Sequence, residues 1–223
     1  ARRVREAHVY CEIHPFHMSL EAIRAFQAKG IILSGGPSSV YEKDAPLNPA
    51  DLFRLGIPTL GICYGMQLMT HVLGGKVAGS SKREYGRSEL FIDDERDLFA
   101  GLNGGKAIQA WMSHGDRIEI APEGFQVIAH SPNSPVAAIR HQDLRAYGVQ
   151  FHPEVVHTPR GKEILHNFLF LICQCPPDWT MGSFVIKTVQ FLKEKIGKEK
   201  VICGQSGGVD SSVVAVLLQK AEV

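Results

Sequence analysis

The feature that most constrains this sequence is an abrupt junction between a short apolar run and a longer amphipathic one. Residues 57–62 have the composition of a buried β-strand, and the pattern over residues 64–73 is helical. Glycines at positions 61 and 65 flank the junction and permit a tight turn between the two elements. A buried strand that turns directly into a helix favours a parallel β-sheet covered by helices.

Short apolar runs and longer amphipathic runs alternate along the chain, and the runs end in glycine or proline. This alternation predicts an α/β fold with a parallel sheet. Ser19 is placed as the N-cap of one helix and Gly30 as the residue that ends it. The predicted helices before residue 175 cover residues 1–7, 19–29, 51–55, 64–73 and 161–173. The predicted strands cover residues 9–13, 30–33, 57–62 and 145–151, and short strands at residues 90–92, 127–129 and 136–139 suit an antiparallel extension.

Composition argues against several classes of protein. The 223 residues include 24 Lys and Arg against 23 Asp and Glu, so the net charge of +1 gives no electrostatic case for nucleic acid or an anionic membrane surface. No apolar run approaches the roughly 18 residues that a membrane span needs, and no secretory signal pattern is visible. The five cysteines are an odd number without disulfide spacing, which favours a reducing, cytosolic compartment.

Paired prolines at positions 176 and 177 interrupt the pattern and suit a linker, because neither residue can continue a helix. We therefore predict one domain at residues 1–176 and the start of a second at residues 177–223. The second segment is predicted to contain a helix at residues 181–196, a buried strand at residues 200–204, a loop at residues 206–212 and a further helix.

The second segment has roughly 40 to 50 residues, fewer than a domain usually needs. The sequence also opens within a predicted helix that has no capping residue before it. We therefore expect the chain to be a piece of a longer protein, with a first strand that precedes Ala1.

Cys63 lies where the predicted strand ends and the helix begins, which is the position of the nucleophile in a nucleophile elbow. The N-terminus of the following helix favours the thiolate, the form of cysteine that attacks. An inert buried cysteine is the alternative, but a packed core position does not require flanking glycines. The sequence therefore predicts that Cys63 is a nucleophile.

A thiolate nucleophile needs a base and a group that orients the base, and His152 and Glu154 can supply both. Residues two apart at the end of a strand point to the same side, so the imidazole and the carboxylate are expected to lie together. For a single histidine, a surface or core position is the alternative. Spacing alone does not bring this pair to Cys63.

Acyl transfer also needs hydrogen-bond donors for the oxyanion. Gly36 follows a predicted buried strand, and the backbone N–H of Tyr64 lies next to the candidate nucleophile. An ordinary turn is the alternative for the glycine segment. Residues 112–116 are predicted to form a polar loop that either contacts substrate or is only a turn.

Three motifs together resemble the class I glutamine amidotransferase family, over about residues 1–175. They are Leu-Ser-Gly-Gly-Pro at residues 33–37, Gly-Ile-Cys-Tyr-Gly-Met-Gln at residues 61–67 and Gly-Val-Gln-Phe-His-Pro-Glu at residues 148–154. The resemblance implies a triad that hydrolyses the side-chain amide of glutamine, formed by Cys63, His152 and Glu154. It also implies oxyanion donors and a contact to the bound glutamine, at Gly36, Tyr64 and Gln67.

A second constellation lies between the predicted strand at residues 200–204 and the last helix. Glycines and hydroxyl residues at a helix N-terminus present backbone N–H groups to phosphate, and the absence of lysine excludes a Walker A loop. The segment resembles the pyrophosphate-binding loop of ATP pyrophosphatases, although Gln205 stands where that family has an apolar residue. The resemblance implies ATP binding, with Asp210 as a partner of Mg²⁺ through the phosphates. The loop residues are Ser206, Gly207, Gly208, Val209, Asp210, Ser211 and Ser212.

The two constellations in one chain resemble the glutamine-hydrolysing GMP synthetase family. That resemblance implies glutamine, XMP and ATP as substrates, ATP and Mg²⁺ as cofactors, and a cytosolic homodimer joined through sequence beyond Val223. Three alternatives remain open: an amidotransferase with a different ammonia acceptor, a tRNA-thiolating relative of the pyrophosphatases, and a regulatory module without catalysis. Cys173 and Cys175 are interpreted as helix-end and linker residues, because no second pair of metal ligands lies at suitable spacing.

Overall fold

The computed structural model describes residues 1–102 and 106–222, with the backbone but not the side chains of residues 80–83. Contacts divide the chain into two compact units. The first contains Ala1–Val4 and Glu12–Cys175, and the second contains Arg5–Cys11 and Pro176–Val223. This division lies one residue from the predicted boundary, whereas the assignment of the two segments as domains stays a prediction.

The first unit is built on a seven-stranded sheet with the order β1-β2-β7-β6-β5-β3-β4. The first three of these strands pair in parallel, and every later pair is antiparallel. The sheet is therefore mixed, with the predicted antiparallel extension. The strands are β1 Ile31–Leu33, β2 Thr59–Ile62, β3 Lys76–Ile92, β4 Ile108–Ile120, β5 Gln126–His130, β6 Ala138–His141 and β7 Ala146–Val149.

Six α-helices accompany these strands in the described residues. They are α1 Arg2–Glu6, α2 Leu20–Phe26, α3 Tyr64–Val72, α4 Gly161–His166, α5 Met181–Ile196 and α6 Val209–Ala221. Short 3-10 helices lie at Ala50–Arg54 and Asp97–Phe99, and α4 continues as a π-helical turn at Asn167–Ile172. The helix predicted at residues 51–55 therefore forms as a 3-10 helix. The helix predicted at residues 161–173 forms with α-helical hydrogen bonds in its first half and π-helical ones in its second.

One predicted strand is absent from the described residues, and one predicted helix ends earlier than expected. The structure has no strand at residues 9–13, where Tyr10 and Ile13 are exposed, since an extended segment becomes a strand only by pairing with a neighbour. Helix α2 begins after Ser19, whose side chain accepts from the Ala22 N–H as predicted. It ends at Gln27 rather than Gly30, because Gln27 adopts the left-handed conformation with φ 54°.

The antiparallel part is also longer than predicted. Strands β3 and β4 span 17 and 13 residues and pair along most of their length, with register shifts between Lys76 and Val77 and between Gly79 and Glu84. Only the end of β3, at Phe91 and Ile92, pairs with β5. The short strand predicted at residues 90–92 is therefore the last part of a long ribbon.

The junction between β2 and α3 is held by close packing of its two glycines. A side-chain carbon added at Gly61 would lie 2.6 Å from the backbone of Gly65 and Met66, and one added at Gly65 would collide with the Leu33 carbonyl oxygen. All four residues of β2 are buried. Any larger residue at either glycine would push the helix away from the parallel strands. The packing of the two glycines therefore fixes the position of the turn that contains Cys63.

The second unit contains α5 and α6, which pack against each other. Helix α5 has the predicted bounds, because Thr180 and Ser183 form a reciprocal capping box at its start. The strand predicted at residues 200–204 is wrong: the structure assigns it no strand, and Ile202 is 99% exposed. Within the described residues no neighbouring strand pairs with this segment.

Candidate active site

Cys63 occupies the turn between β2 and α3. Its backbone has φ 50° and ψ −106°, outside the regions that most residues adopt, and its N–H donates to the Val149 carbonyl at 2.8 Å. The residue is 4% exposed. The bond to β7 anchors the turn on the sheet and leaves the sulfur beyond the carboxyl end of β2, as the sequence predicted.

His152 and Glu154 follow β7, the strand that pairs with β2. The imidazole Nδ1 of His152 lies 2.7 Å from Glu154 Oε1. The His152 backbone is held on both sides, since its N–H donates to the Trp111 carbonyl at 3.0 Å and its carbonyl accepts from Thr158 Oγ1 at 2.7 Å. Because Nδ1 contacts the carboxylate, the opposite edge of the ring is left to face Cys63.

Electrostatics couple these three side chains. Hydrogen bonding with Cys63, and then with Glu154, raises the pKa of His152 to about 10 against the opposing effect of burial. Burial disfavours the charged form of Glu154, but hydrogen bonds with His152 and with the backbone, together with nearby positive charge, outweigh it and lower the pKa of the carboxyl. The imidazole is therefore held in its protonated form between the sulfur and a carboxylate, an arrangement suited to attack by a thiolate.

The two predicted oxyanion donors lie beside each other, and one of them, Tyr64, directly follows Cys63. Tyr64 is the first residue of α3, a position whose backbone N–H has no acceptor within its own helix. A side-chain carbon added at Gly36 would lie 3.7 Å from the ring of Tyr64, which places the two residues side by side. Both predicted amides therefore belong to the same small region of the site.

Sequence reasoning missed Gly35, which lies closer to the reacting pair than Gly36 does. A side-chain carbon added at Gly35 would lie 2.9 Å from His152 Cε1 and 3.6 Å from Cys63 Cβ. The glycine pair at positions 35 and 36 was a visible signal, but only the structure shows which of the two faces the imidazole.

Sequence reasoning also missed two groups that contact the sulfur. Gln150 Nε2 lies 3.7 Å from Cys63 Sγ, and the Ser113 carbonyl lies at the same distance. Residues 112–116 belong to β4, so the polar segment predicted there is neither a loop nor a simple turn. The predicted contact residue Gln67 is buried, and its Nε2 donates to the Asp116 carbonyl and to Gln150.

The predicted phosphate loop lies at the start of α6 in the second unit. Gly207 has φ 83°, Gly208 is the N-cap, and the Ser211 and Ser212 hydroxyls donate to the Gly208 carbonyl at 3.0 and 2.9 Å. Asp210 lies in the first turn of this 13-residue helix. Exposed backbone N–H groups at such a helix start are suited to binding phosphate.

The class I glutamine amidotransferase family matches residues 1–172. The chain belongs to this family. The NAD synthase family matches residues 184–222, the part of this amidotransferase that carries the glycine- and serine-rich loop.

Curated relatives extend the similarity over almost the whole amidotransferase chain. The glutamine-hydrolysing GMP synthases of Brachyspira hyodysenteriae and Carboxydothermus hydrogenoformans are 54% and 56% identical to it, over 99% of its length. The alignments cover 42% and 43% of those proteins. The chain therefore spans about two fifths of the length of the curated relatives it matches.

Solved structures agree on the fold. A Thermoplasma acidophilum protein described as one subunit of a GMP synthase is 30% identical, with a TM-score of 0.69 over 78% of this amidotransferase and 85% of that chain. A glutamine amidotransferase of Methylobacillus flagellatus superposes with a TM-score of 0.58 at 21% identity, over 99% of this chain and 84% of its own. The second likeness bears on the fold alone.

Other features of this amidotransferase do not extend the site. Among residues 1–102 and 106–222, no group of three or more His, Cys, Asp or Glu is arranged to hold a metal ion. Burial raises the pKa of Cys173 to about 12 and also raises that of Cys175, which suits unreactive thiols. No helix of the described part is long and apolar enough to cross a bilayer.

Proposed function

We propose that the complete protein is a glutamine-hydrolysing GMP synthetase, and that this chain carries its glutaminase and the start of its ATP-binding domain. The observation that carries the proposal is the identity of 54% and 56% with enzymes of that name over 99% of the chain, the phosphate loop included. This coverage favours GMP synthesis over a glutaminase that serves another ammonia acceptor, because such an enzyme shares only the first part.

The first half-reaction uses Cys63, His152 and Glu154. The thiolate attacks the side-chain carbonyl carbon of glutamine, and the N–H groups of Gly36 and Tyr64 bind the oxyanion that forms. The imidazolium gives its proton to the amide nitrogen as the C–N bond breaks, so ammonia leaves and a thioester remains. Neutral His152 then takes a proton from water, which attacks the thioester, and glutamate departs as the thiolate re-forms.

The second half-reaction uses ATP at the loop of residues 206–212. The C2 oxygen of XMP attacks the α-phosphorus of ATP, pyrophosphate leaves, and ammonia then displaces AMP to give GMP. Mg²⁺ would neutralise charge on the phosphates during this step. The residues present fit Mg²⁺, because this ion binds phosphate oxygens together with one or two carboxylates of the protein. Asp210 supplies a carboxylate in the exposed first turn of α6.

We further propose that the complete protein is a cytosolic homodimer and binds neither nucleic acid nor a membrane. The near-neutral charge of +1 on this chain gives no electrostatic case for binding a polyanion. The dimer rests on the family resemblance, and sedimentation of the complete protein at two concentrations measures it.

The deciding experiment supplies the complete protein with ATP, Mg²⁺, ammonium and XMP and measures AMP and GMP. We expect AMP release that depends on XMP, with one GMP formed for each AMP. Release of AMP that does not respond to XMP would direct the search to another acceptor.

Cys63→Ala separates the two half-reactions in the same assay. We expect glutamine hydrolysis to fall to background, because the variant has no nucleophile, while synthesis from ammonium persists. Glutamate formation is the measurement, and glutaminase activity that survives in this variant would contradict the assigned triad.

A further inference from the structure

Gln150 follows β7 directly and is completely buried beside the candidate nucleophile. Its backbone N–H donates to the Ala137 carbonyl at 2.8 Å, which fixes the residue against the adjacent part of the sheet. Its side chain extends to the sulfur of Cys63, with Nε2 and Sγ 3.7 Å apart. A buried amide in this place is costly unless each of its polar atoms has a partner.

The partners of Gln150 fix which end of its amide faces the sulfur. The Asp116 carbonyl can only accept, so Gln67 must present its NH₂ group to it, and the two atoms are 3.1 Å apart. The same NH₂ group lies 3.3 Å from Gln150, which must therefore present its oxygen. The NH₂ group of Gln150 is then directed at the sulfur of Cys63.

The sulfur thus lies between one donor and one acceptor besides the imidazole. The Ser113 carbonyl accepts from the thiol and favours its protonated form, whereas an N–H donor favours the thiolate. His152 is a titratable group that hydrogen-bonds with the sulfur, and Glu154 lies behind it. Without the amide of Gln150, opposition to the effect of the Ser113 carbonyl would be left to the imidazole.

We infer that Gln150 is a further catalytic residue of the glutaminase site, donating a hydrogen bond to the Cys63 sulfur that stabilises the thiolate. Gln67 is a positioning residue, since it holds the Gln150 amide in the required orientation. The inference rests on the proposed glutamine hydrolysis. The Gln150 hydrogen bond would stabilise the thiolate in addition to the interaction with His152. Because the amide is uncharged and does not exchange its proton, this stabilisation persists while the imidazole gives up and regains its own.

The test measures thiolate formation without turnover. The complete protein, without glutamine, is treated with iodoacetamide over a series of pH values, and alkylation of the Cys63 peptide is followed by mass spectrometry. Gln150→Met keeps the length of the side chain but removes the donor. We expect the pH of half-maximal Cys63 alkylation to rise by about one unit, and kcat for glutamine hydrolysis to fall roughly tenfold at neutral pH.

Two matched variants complete the design. Gln67→Met keeps Gln150 but removes the hydrogen bond that orients its amide. We expect the pH of half-maximal Cys63 alkylation to rise in this variant too, but by less. Gln109→Met makes the same replacement at an exposed position of β4 and is expected to leave the Cys63 profile unchanged. Alkylation of the exposed Cys203 serves as an internal control in every variant.

A folded Gln150→Met protein with an unshifted Cys63 profile would overturn the inference, and near-UV circular dichroism establishes folding. If this variant does not fold, the Gln67→Met profile decides, and no shift there overturns the arrangement of the two amides. Failure of the proposed function is a separate result: it appears as absent glutamine hydrolysis in the unaltered protein, whatever the alkylation profile.

Discussion

At the residue scale, Cys63 shows how the fold holds the proposed nucleophile in a strained backbone conformation. A non-glycine residue at φ 50° costs on the order of 1 to 3 kcal/mol, and such a conformation persists only where surrounding contacts determine it. Here the contacts are the N–H bond to Val149 and the close approach of Gly61 and Gly65 to their neighbours. The strain directs the sulfur away from the sheet and towards His152.

A substitution at Gly35 would measure how strongly glutamine hydrolysis depends on the position of the His152 ring. In Gly35→Ala the new carbon would lie 2.9 Å from the imidazole, so the ring must shift from its position beside Cys63 or the backbone must give way. We expect kcat for glutamine hydrolysis to fall by about 10- to 100-fold with little change in melting temperature, because reacting groups displaced by about 1 Å lose that much.

Gly36→Ala is the matched comparison for this change. Its added carbon meets the Tyr64 ring at 3.7 Å, an ordinary contact, and the backbone N–H remains, so a smaller loss is expected. Equal losses in the two variants would show that crowding of His152 is not the cause.

At the element scale, one buried carboxylate ties the β3–β4 ribbon to the rest of the sheet. Glu84 on β3 accepts from the hydroxyls of Ser131 and Ser134 at 3.0 and 2.8 Å and lies 3.2 Å from His114 Nε2 on β4. Burial raises the pKa of this carboxyl, but the close approach of His114 and the hydrogen bonds from Ser134 and Ser131 together outweigh burial and lower it to about 2. The carboxylate thereby joins three segments that are distant in the sequence.

The lowered pKa of Glu84 predicts acid sensitivity. Stability from this group is fully present above the ordinary value of 4.5 and is lost as the pH falls through about 2. The shift corresponds to roughly 3 kcal/mol at neutral pH. Glu84→Gln should therefore be less stable at pH 7, and its free energy of unfolding in urea should change less between pH 5 and pH 2.5 than that of the unaltered protein.

Glu89→Gln, at an exposed position of the same strand, is the control for this prediction. It should follow the unaltered protein at both pH values. Parallel acid unfolding of the Glu84→Gln variant and the unaltered protein would contradict the assigned role of the carboxylate.

At the scale of the whole molecule, the two proposed half-reactions fall in separate units. The residues proposed for glutamine hydrolysis lie in the first unit, and the predicted phosphate loop lies in the second. In the complete protein, Asp210→Asn removes the carboxylate proposed to act on Mg²⁺. We expect AMP formation dependent on XMP to fall by about 100-fold or more, because an uncharged amide is a weaker ligand for Mg²⁺.

Glutamine hydrolysis reports on the first unit in the same preparation and should persist in the Asp210→Asn protein. Asp178→Asn, at an exposed position after the paired prolines, is the matched control and should affect neither step. Normal ATP use by Asp210→Asn would refute the role of this aspartate.

The sequence by itself determined the elements whose signals are local. An apolar run and the glycines on either side of Cys63 predict the junction between β2 and α3. Ser19 predicts the start of α2, and the pattern of residues 181–196 predicts α5. The contact between His152 and Glu154 was also predicted, but from a strand that was expected to reach residue 151; β7 ends at Val149, and the two residues meet in the segment after it.

Only the tertiary structure decided what depends on pairing across the chain. Residues 9–13 and 200–204 have apolar composition but form no strand, since a strand exists only with a partner. The Gln150 amide reaches the sulfur, and Glu84 joins three segments, through contacts between residues 30 to 87 positions apart. Local sequence specifies backbone direction and caps, whereas such contacts arise from the packing of distant segments, which no single stretch of sequence contains.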